Sequence, residues 1–290
     1  MYNVEGSVKA LEAMVKGHKK THRHIRCVVY SSSLLSHNRD NTYSNKNRLR
    51  ESGAIASFSK ALTWNISHGA DPVMLGSLIL SLALVAEDDV PTFTRLRNEG
   101  IFQLVVDLTR QYPDHDTVWM ATTGLVATCS VVFNDDWTDW SRFETPVKEN
   151  QDLFIAGGAI PYILDAMRST PLVKSTIVMS FISLGALIWQ NAQGIELLVD
   201  AVEFIDEVLA SAACKGPDSL FYGLLVLGSM VSFPDPDVKV LARCCPVIYR
   251  WEKVAREAYP ENTCLVRLRV ILISHIHKAA AAHPFGLDAA

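Results

Sequence analysis

Long apolar segments recur along the chain and are separated by short polar stretches. Residues 73–86, for example, contain eleven apolar side chains and only one glycine and two serines. A helix that is apolar on most of its faces has to be covered by protein on most sides. The chain shows no sustained alternation of apolar and polar residues, which would be typical of a strand. The pattern therefore predicts an all-α protein built from buried helices.

These apolar segments return at a nearly constant interval. They begin near His24, Val73, Thr117, Lys174, Ser219 and Cys264. The interval lies between 44 and 49 residues, except for one of 57 residues that contains a polar and aromatic insertion. Such self-similarity indicates a helical-repeat architecture, in which each unit buries its apolar face against its neighbours.

A glycine-containing corner precedes a shorter helix in most of the predicted units. Asn45 and Asn150 are each followed, eight residues later, by Gly-Ala-Ile, at Gly53 and Gly158 respectively. The corresponding positions along the whole chain are Gly6, Gly53, Gly100, Gly158, Gly194 and Cys245. Glycine suits a tight corner between helices because it has no Cβ to clash there. We expect a corner at each of these positions.

These corners resemble the Gly-Ala-Ile-Pro-like corner that precedes the second helix of armadillo repeats. Gly158–Pro161 matches it fully, and Gly53–Ile55 matches it without the proline. The interval also lies in the ~40–47-residue range of armadillo and HEAT repeats. The resemblance covers about residues 5–280 and implies an armadillo-like, right-handed α-solenoid of about six repeats. Because armadillo-like proteins are mostly binding scaffolds, it implies a non-enzymatic adaptor, a structural subunit that binds one or more proteins in a stable complex.

The predicted domain is a single solenoid over residues 1–290. Its six units span about residues 1–48, 49–96, 97–133, 154–190, 191–241 and 242–283. Between the third and fourth units, residues 134–150 are predicted to form an inserted acidic and aromatic loop, and residues 284–290 form a tail.

Three residues are candidates for a binding groove. Armadillo nuclear-import adaptors carry a tryptophan near the middle of the third helix and an asparagine one turn later. Here Trp119 lies near that tryptophan position with Thr123 one turn on, whereas Asn191 lies only two residues after Trp189. Trp119, Thr123 and Asn191 are therefore the candidate groove residues, and the incomplete pattern disfavours an import adaptor.

The insertion contains aromatic residues interspersed with acidic ones. Its candidate contact residues are Trp137, Trp140, Phe143, Asp136 and Asp139. Long loops inside compact units are usually functional or disordered, and tryptophan is enriched at interface hot spots. Two interpretations stay open: the insertion docks a partner that has an apolar pocket with a basic rim, or it folds back onto its own solenoid.

Charge is distributed unevenly along the chain. Residues 1–50 hold ten Lys/Arg and three Asp/Glu, whereas the rest holds 17 and 28, and the overall net charge is −4. A candidate polyanion-binding cluster consists of Lys16, Lys19, Lys20, Arg23 and Arg26. Clustered basic side chains suffice to contact phosphates, so a nucleic-acid-binding repeat protein is the alternative function. The simpler interpretation is that the basic and the acidic parts of the chain attract each other or are solvated.

No catalytic, metal or cofactor site is predicted. The chain has no Gly-x-Ser-x-Gly elbow, His-Glu-x-x-His motif or P-loop. His275 and His277 are two residues apart, so they do not share a helix face. Acids beside prolines, as at Glu87–Asp89 and at Asp235 and Asp237, are expected to be solvated or to cap helices.

Composition and targeting signals complete the prediction. With 49% hydrophobic and 20% charged residues, intrinsic disorder is excluded. Six cysteines are too few for a disulfide scaffold and are expected to be reduced and mostly buried.

The uncharged run Ser175–Ile195 reaches the length of a membrane span, but its polar end favours a buried helix. We expect an intracellular, reducing compartment, the cytoplasm first, with a mitochondrial or a cytoskeletal or ciliary assembly as alternatives, and no transmembrane segment.

Overall fold

The computed structural model describes residues 47, 50–51, 53–87, 89–113, 115–133, 143–169, 174–211 and 216–282. The chain divides into two compact units, residues 1–129 and 130–290. In their described residues, both units are built almost entirely from α-helices, as the apolar pattern predicted.

The described part of the first unit consists of packed helices joined by short turns. These helices are α1 (Ala54–Ser67), α2 (Pro72–Ala86), α3 (Val90–Asn98), α4 (Ile101–Gln111) and α5 (Asp116–Ser130), the last ending at the boundary between the units. The predicted apolar segments near Val73 and Thr117 are thus the helices α2 and α5. Buried side chains line α2 along its whole length, which explains why so few polar residues occur there.

Local sequence signals set the ends of these helices. Gly53 and Gly100 precede α1 and α4 with φ angles of 82° and 72°, which confirms the predicted corners, since this left-handed backbone favours glycine. Asp71 accepts a hydrogen bond of 3.0 Å from the backbone N–H of Val73 at the start of α2. Asp89 likewise accepts one of 3.1 Å from the N–H of Thr92 and caps α3, as expected of an acid beside a proline.

The second unit begins with a short antiparallel ribbon. Strand β1 (Val131–Phe133) pairs with β2 (Phe143–Pro146), with Val132 opposite Thr145. The ribbon and the following helix therefore occupy residues 143–150, which we had expected to be loop, because pairing satisfies backbone groups that a loop would leave to solvent. Residues 134–142, the remainder of the predicted insertion, lie outside the described residues.

The rest of the second unit is helical. Its helices are α6 (Lys148–Ala156), α7 (Ala159–Ser169), α8 (Lys174–Ile188), α9 (Ala192–Leu198), α10 (Val202–Ala210), α11 (Pro217–Val231), α12 (Val238–Ala258) and α13 (Thr263–Ala282). Helix α11 packs against α8, α12 and α13 and is buried almost throughout. Gly158 opens α7 with a φ angle of 87°, so this corner is also as predicted.

Two of the expected corners are wrong. Gly194 lies inside α9, and the chain turns later, through the 3-10 helix Val199–Ala201. Cys245 lies inside α12, a continuous helix of 21 residues that also contains Pro246. Cys245 is buried there, and the helix continues through Pro246 although proline has no backbone N–H to donate.

The uncharged run from Ser175 to Ile195 is divided between two helices. Helix α8 ends at Ile188, and a turn with Gln190 at a positive φ of 53° separates it from α9. Ile177, Phe181 and Leu184 are fully buried in α8, which confirms the buried-helix interpretation. Within the described ranges, no helix is both long and apolar enough to cross a bilayer.

Candidate partner-binding surface

The structure places Trp119 and Thr123 in the core of the first unit. The side chain of Trp119 is only 4% exposed, and Thr123 is completely buried in the same helix, α5. The hydroxyl of Thr123 donates a hydrogen bond of 3.0 Å to the carbonyl oxygen of Trp119, one turn earlier. In this structure both candidate groove residues therefore contribute to packing rather than to an exposed surface.

Asn191 has a capping role at the start of α9. Its Oδ1 accepts a hydrogen bond of 3.0 Å from the backbone N–H of Gly194, and its Nδ2 donates one of 2.9 Å to Asp152. The neighbouring Gln151, fully buried on α6, donates to the carbonyl oxygen of Ala186 at 2.7 Å. This polar group fastens α6 to the junction of α8 and α9, a role that the sequence did not indicate.

Most of the other candidate residues lie outside the described part of the chain. In the insertion this applies to Trp137, Trp140, Asp136 and Asp139, whereas Phe143 opens strand β2, where its backbone pairs with that of Phe133. The basic cluster at Lys16, Lys19, Lys20, Arg23 and Arg26 lies outside as well. Their contribution to binding therefore stays a prediction.

In the first unit, two large apolar side chains are exposed on neighbouring helices. Leu80 on α2 and Met120 on α5 are 41% and 43% exposed. The two helices approach closely at Gly76, where a Cβ would lie 2.7 Å from the carbonyl oxygen of Thr117. Leu80 and Met120 each lie about one turn beyond that point, so the helix period places apolar surface on both helices near this approach.

In the second unit, a pocket of about 340 Å³ lies where α9, α11 and α12 meet. Its apolar lining includes Ile195 and Val199 from the α9 side, Met230 at the end of α11, Phe233 after it, and Val240 at the start of α12. The turn that follows α11 forms one wall because Pro234 and Pro236 interrupt the helical path and Asp235 adopts a positive φ of 62°. We call this site the acidic-rim pocket.

The rim of the acidic-rim pocket carries Glu196, Asp235, Asp237 and Lys239. Asp237 accepts a hydrogen bond of 2.8 Å from the backbone N–H of Lys239 and so caps α12. The ammonium of Lys239 lies 2.9 Å from Asp200, and its hydrogen bond and charge lower the pKa of that carboxyl. Glu196 has no ion-pair partner among the described residues, and the rim is therefore negative overall.

A second concavity, of about 410 Å³, lies on the other side of the same turn. It shares Phe233, Asp235 and Pro236 with the acidic-rim pocket but is lined on α13 by His275 and Lys278. Partial burial lowers the pKa of His275, and the positive charge of Lys278 lowers it further. The two concavities therefore share one wall but differ in charge: Glu196 and Asp237 lie only in the first, and His275 and Lys278 lie only in the second.

None of the described cysteines is part of a disulfide. Burial raises the pKa of Cys129 and Cys244, and it raises the pKa of Cys245 to about 11. All three are buried, and Cys264 is half-buried. Thiols of this kind are poor nucleophiles and act as small hydrophobic side chains. No group of three or more His, Cys, Asp or Glu in the described ranges is arranged to hold a metal ion.

Sequence reasoning missed the acidic-rim pocket. The signal present in the sequence was the segment Phe233-Pro-Asp-Pro-Asp237, in which two prolines and two acids follow a long apolar helix. We had expected Asp237 to be solvated or to cap the next helix, and it does cap α12. The approach of α9 to this turn depends on tertiary packing and leaves no periodic signal in the chain.

No known family model matches the chain, and no curated protein matches it. Similar solved structures exist. One engineered protein superimposes with a TM-score of 0.68 at 14% identity, covering 96% of this chain and 100% of that chain. A second has a TM-score of 0.69 at 13% identity, covering 97% of this chain and 61% of that chain.

A chain from a third solved structure is also similar. It comes from a structure that describes how a conserved phosphorylation switch controls the interaction between cadherin and β-catenin. The TM-score is 0.67 at 14% identity, with 97% of this chain and 47% of that chain covered. This chain therefore spans about half the length of that one. At such identities the likeness shows the fold alone: an all-α helical-repeat fold with an armadillo-like match.

Proposed function

We propose that this protein is a non-enzymatic interaction scaffold that binds one or more proteins in a stable complex. The observation that carries the proposal is the helical-repeat fold, which matches an armadillo-like structure over nearly the whole chain. That structure concerns the interaction of β-catenin with cadherin, an interaction between proteins. Stacked helices offer extended surfaces that suit such binding. In finer detail, we propose a right-handed solenoid of about six units.

Exposed apolar side chains support the proposal. Leu80, Met120 and Val270 are 41%, 43% and 68% exposed, although each lies on a helix that also carries buried apolar residues. Single exposed apolar residues are ordinary, but Leu80 and Met120 lie on helices that approach each other closely. Apolar surface at the centre of an interface is where binding energy concentrates.

We propose the insertion at 134–150 as the first contact to test. Trp137 and Trp140 supply the aromatic anchors, and Asp136 and Asp139 supply negative charge for a basic rim on the partner. The experiment purifies the tagged full chain under native conditions, cross-links it and identifies the bound proteins by mass spectrometry. Replacing both tryptophans by alanine should lower the recovery of a defined partner while the far-ultraviolet circular dichroism stays unchanged.

A matched control separates the effect of the two tryptophans in the insertion from the effect of removing any other tryptophan. Trp64→Ala removes a half-buried indole that stacks on His68 in the first unit, with ring centroids 4.1 Å apart. This variant should retain the partner. Elution of the wild-type chain alone at all concentrations, with no specific cross-linked protein, would contradict the scaffold proposal.

The alternative function is nucleic-acid binding through the basic cluster at 16–26. The excess of Lys and Arg in residues 1–50 favours it. Neutralising several phosphates makes affinity fall steeply with salt, which separates this alternative from apolar protein contacts. Reversing the charges of Lys19, Lys20 and Arg23 to Glu should abolish RNA retention if the alternative holds, and should leave protein partners bound if the scaffold proposal holds.

We also propose an intracellular, reducing location, with the cytoplasm first. Buried cysteines that are not in disulfides, Cys244 and Cys245, support it. Expression of a fluorescent fusion, read by microscopy, tests the compartment directly.

A further inference from the structure

The acidic-rim pocket has a floor suited to one large apolar side chain. Ile195, Val199, Met230 and Val240 are at most 5% exposed, so packing holds these side chains in place. The half-buried Phe233 adds accessible apolar surface to the lining. Its volume of about 340 Å³ lies at the lower end of the ~300–1,000 Å³ that is typical of ligand pockets. A pocket of this size can accept a side chain such as leucine or methionine together with part of its backbone.

The rim determines which charge the occupant should carry next to that side chain. Ala192, Ile195 and Glu196 share one face of α9, so the Glu196 carboxylate lies beside the apolar floor. Lys239 does not neutralise it, because the ammonium of Lys239 is paired with Asp200. Asp237 adds a second carboxylate across the mouth, of which one oxygen accepts from the backbone of α12. Glu196, Asp235, Asp237 and Lys239 together leave the mouth negative, which favours a cationic occupant over an anionic one such as nucleic acid or an acidic membrane surface.

We propose that the acidic-rim pocket binds a segment of a partner protein in which a large apolar side chain is flanked by lysine or arginine. The apolar side chain occupies the floor formed by Ile195, Val199, Met230 and Val240, and the basic neighbour lies against Glu196 and Asp237. This inference rests on the proposed scaffold function and gives it one recognition chemistry. The apolar contact supplies most of the affinity, and the rim charge supplies selectivity.

The test uses the full chain and three fluorescein-labelled pentapeptides. The peptides are Gly-Lys-Leu-Lys-Gly, Gly-Glu-Leu-Glu-Gly and Gly-Lys-Ser-Lys-Gly. Fluorescence anisotropy measures their binding, and methyl spectra of protein labelled with ¹³C at methionine locate the binding site. The first peptide should bind best and should shift the Met230 signal, while the Met120 signal of the other unit stays in place. Serine for leucine removes the apolar anchor and should weaken binding about tenfold or more.

Two variants test the site without emptying its core. Ala192 is an exposed residue on the pocket wall, so Ala192→Trp should block the mouth and weaken binding about tenfold or more. Ala258→Trp, at an exposed position at the far end of α12, is the matched control and should leave binding unchanged.

Glu196→Lys should weaken binding roughly two- to fivefold, with a smaller effect at high salt. Glu207→Lys, exposed on α10 and away from the pocket, is its control.

The possible outcomes separate this inference from the scaffold proposal. Equal binding of the lysine and glutamate peptides, or full binding by Ala192→Trp, would overturn the pocket assignment. If Ala192→Trp also retains every cross-linked partner of the wild-type chain, the scaffold proposal stands without the pocket. If the protein binds the lysine peptide better than the glutamate peptide and Ala192→Trp abolishes binding, the pocket assignment holds. This is true even where native purification finds no stable partner and the scaffold proposal fails.

Discussion

Asp206 on α10 binds Trp251 on α12 through its carboxylate. Its Oδ1 accepts a hydrogen bond of 2.7 Å from the indole N–H of Trp251, while its Oδ2 accepts one of 2.5 Å from Arg250. The side chain of Asp206 is only 19% exposed. One carboxylate therefore fixes the middle of the longest described helix against α10. Water competes less for its hydrogen bond to the half-buried Trp251 than for the one to Arg250, whose side chain is 60% exposed.

We expect Asp206→Ala to lower the free energy of unfolding by about 1–3 kcal/mol, since it leaves a half-buried indole N–H without its acceptor. Urea unfolding, followed by circular dichroism, measures the loss. Asp200→Ala is the matched control, because Asp200 pairs with Lys239 and Arg243 but is 68% exposed. Exposed pairs contribute little, so the control should lose less. Equal losses in the two variants would contradict the role given to Asp206.

Gly76 allows α2 and α5 to approach each other closely. A Cβ there would lie 2.7 Å from the carbonyl oxygen of Thr117, which belongs to the backbone and cannot turn away. Overpacking costs about 1–3 kcal/mol, more than the ~0.5–1 kcal/mol that alanine gains over glycine inside a helix. Gly76→Ala should therefore lower the thermal midpoint.

Gly223→Ala is the comparison for Gly76. Its new methyl group would lie 2.6 Å from Cδ2 of Leu209, the end of a flexible side chain that can change rotamer. It should be less destabilising than Gly76→Ala in the same calorimetric scan. A higher thermal midpoint for Gly76→Ala than for the wild-type chain would show that α2 and α5 are not constrained at this point.

Asn191→Ala should destabilise the second unit without changing affinity for a partner. The variant removes the hydrogen bond to the N–H of Gly194, and losing such a cap costs about 0.5–2 kcal/mol. Asn191→Ser retains a capping oxygen and should lose less stability. Denaturant unfolding gives the first quantity, and partner titration gives the second. A change in affinity at unchanged stability would return Asn191 to the set of groove residues.

His275 should make stability depend on pH. Burial and then the charge of Lys278 hold its folded-state pKa below the ordinary value of 6.5. Between these two pKa values the unfolded chain binds more protons than the folded chain, so the free energy of unfolding decreases as the pH falls from 6.5 through the folded pKa. His275→Gln should reduce this decrease, as measured by urea unfolding at several pH values. Identical pH profiles for the two proteins would rule out the contribution of His275.

The sequence determined the elements whose signals are local. Glycine at positions 53, 100 and 158 predicted corners, and all three adopt the left-handed backbone that glycine favours. The starts of the long buried helices were also predictable, because an apolar run bounded by proline, glycine or a capping acid needs no distant partner to be recognised. Asp237 capped its helix for the same reason.

Tertiary structure decided where those local rules compete with packing. Gly194 and Cys245 occupy repeat positions of expected corners, yet both lie inside helices, since burial of neighbouring side chains outweighs a single local preference. Trp119 and Thr123 had the spacing of a groove motif, but spacing along a helix does not tell which face neighbouring helices cover. The acidic-rim pocket joins residues 192–199 to residues 230–240, and only the folding of the chain brings these segments together.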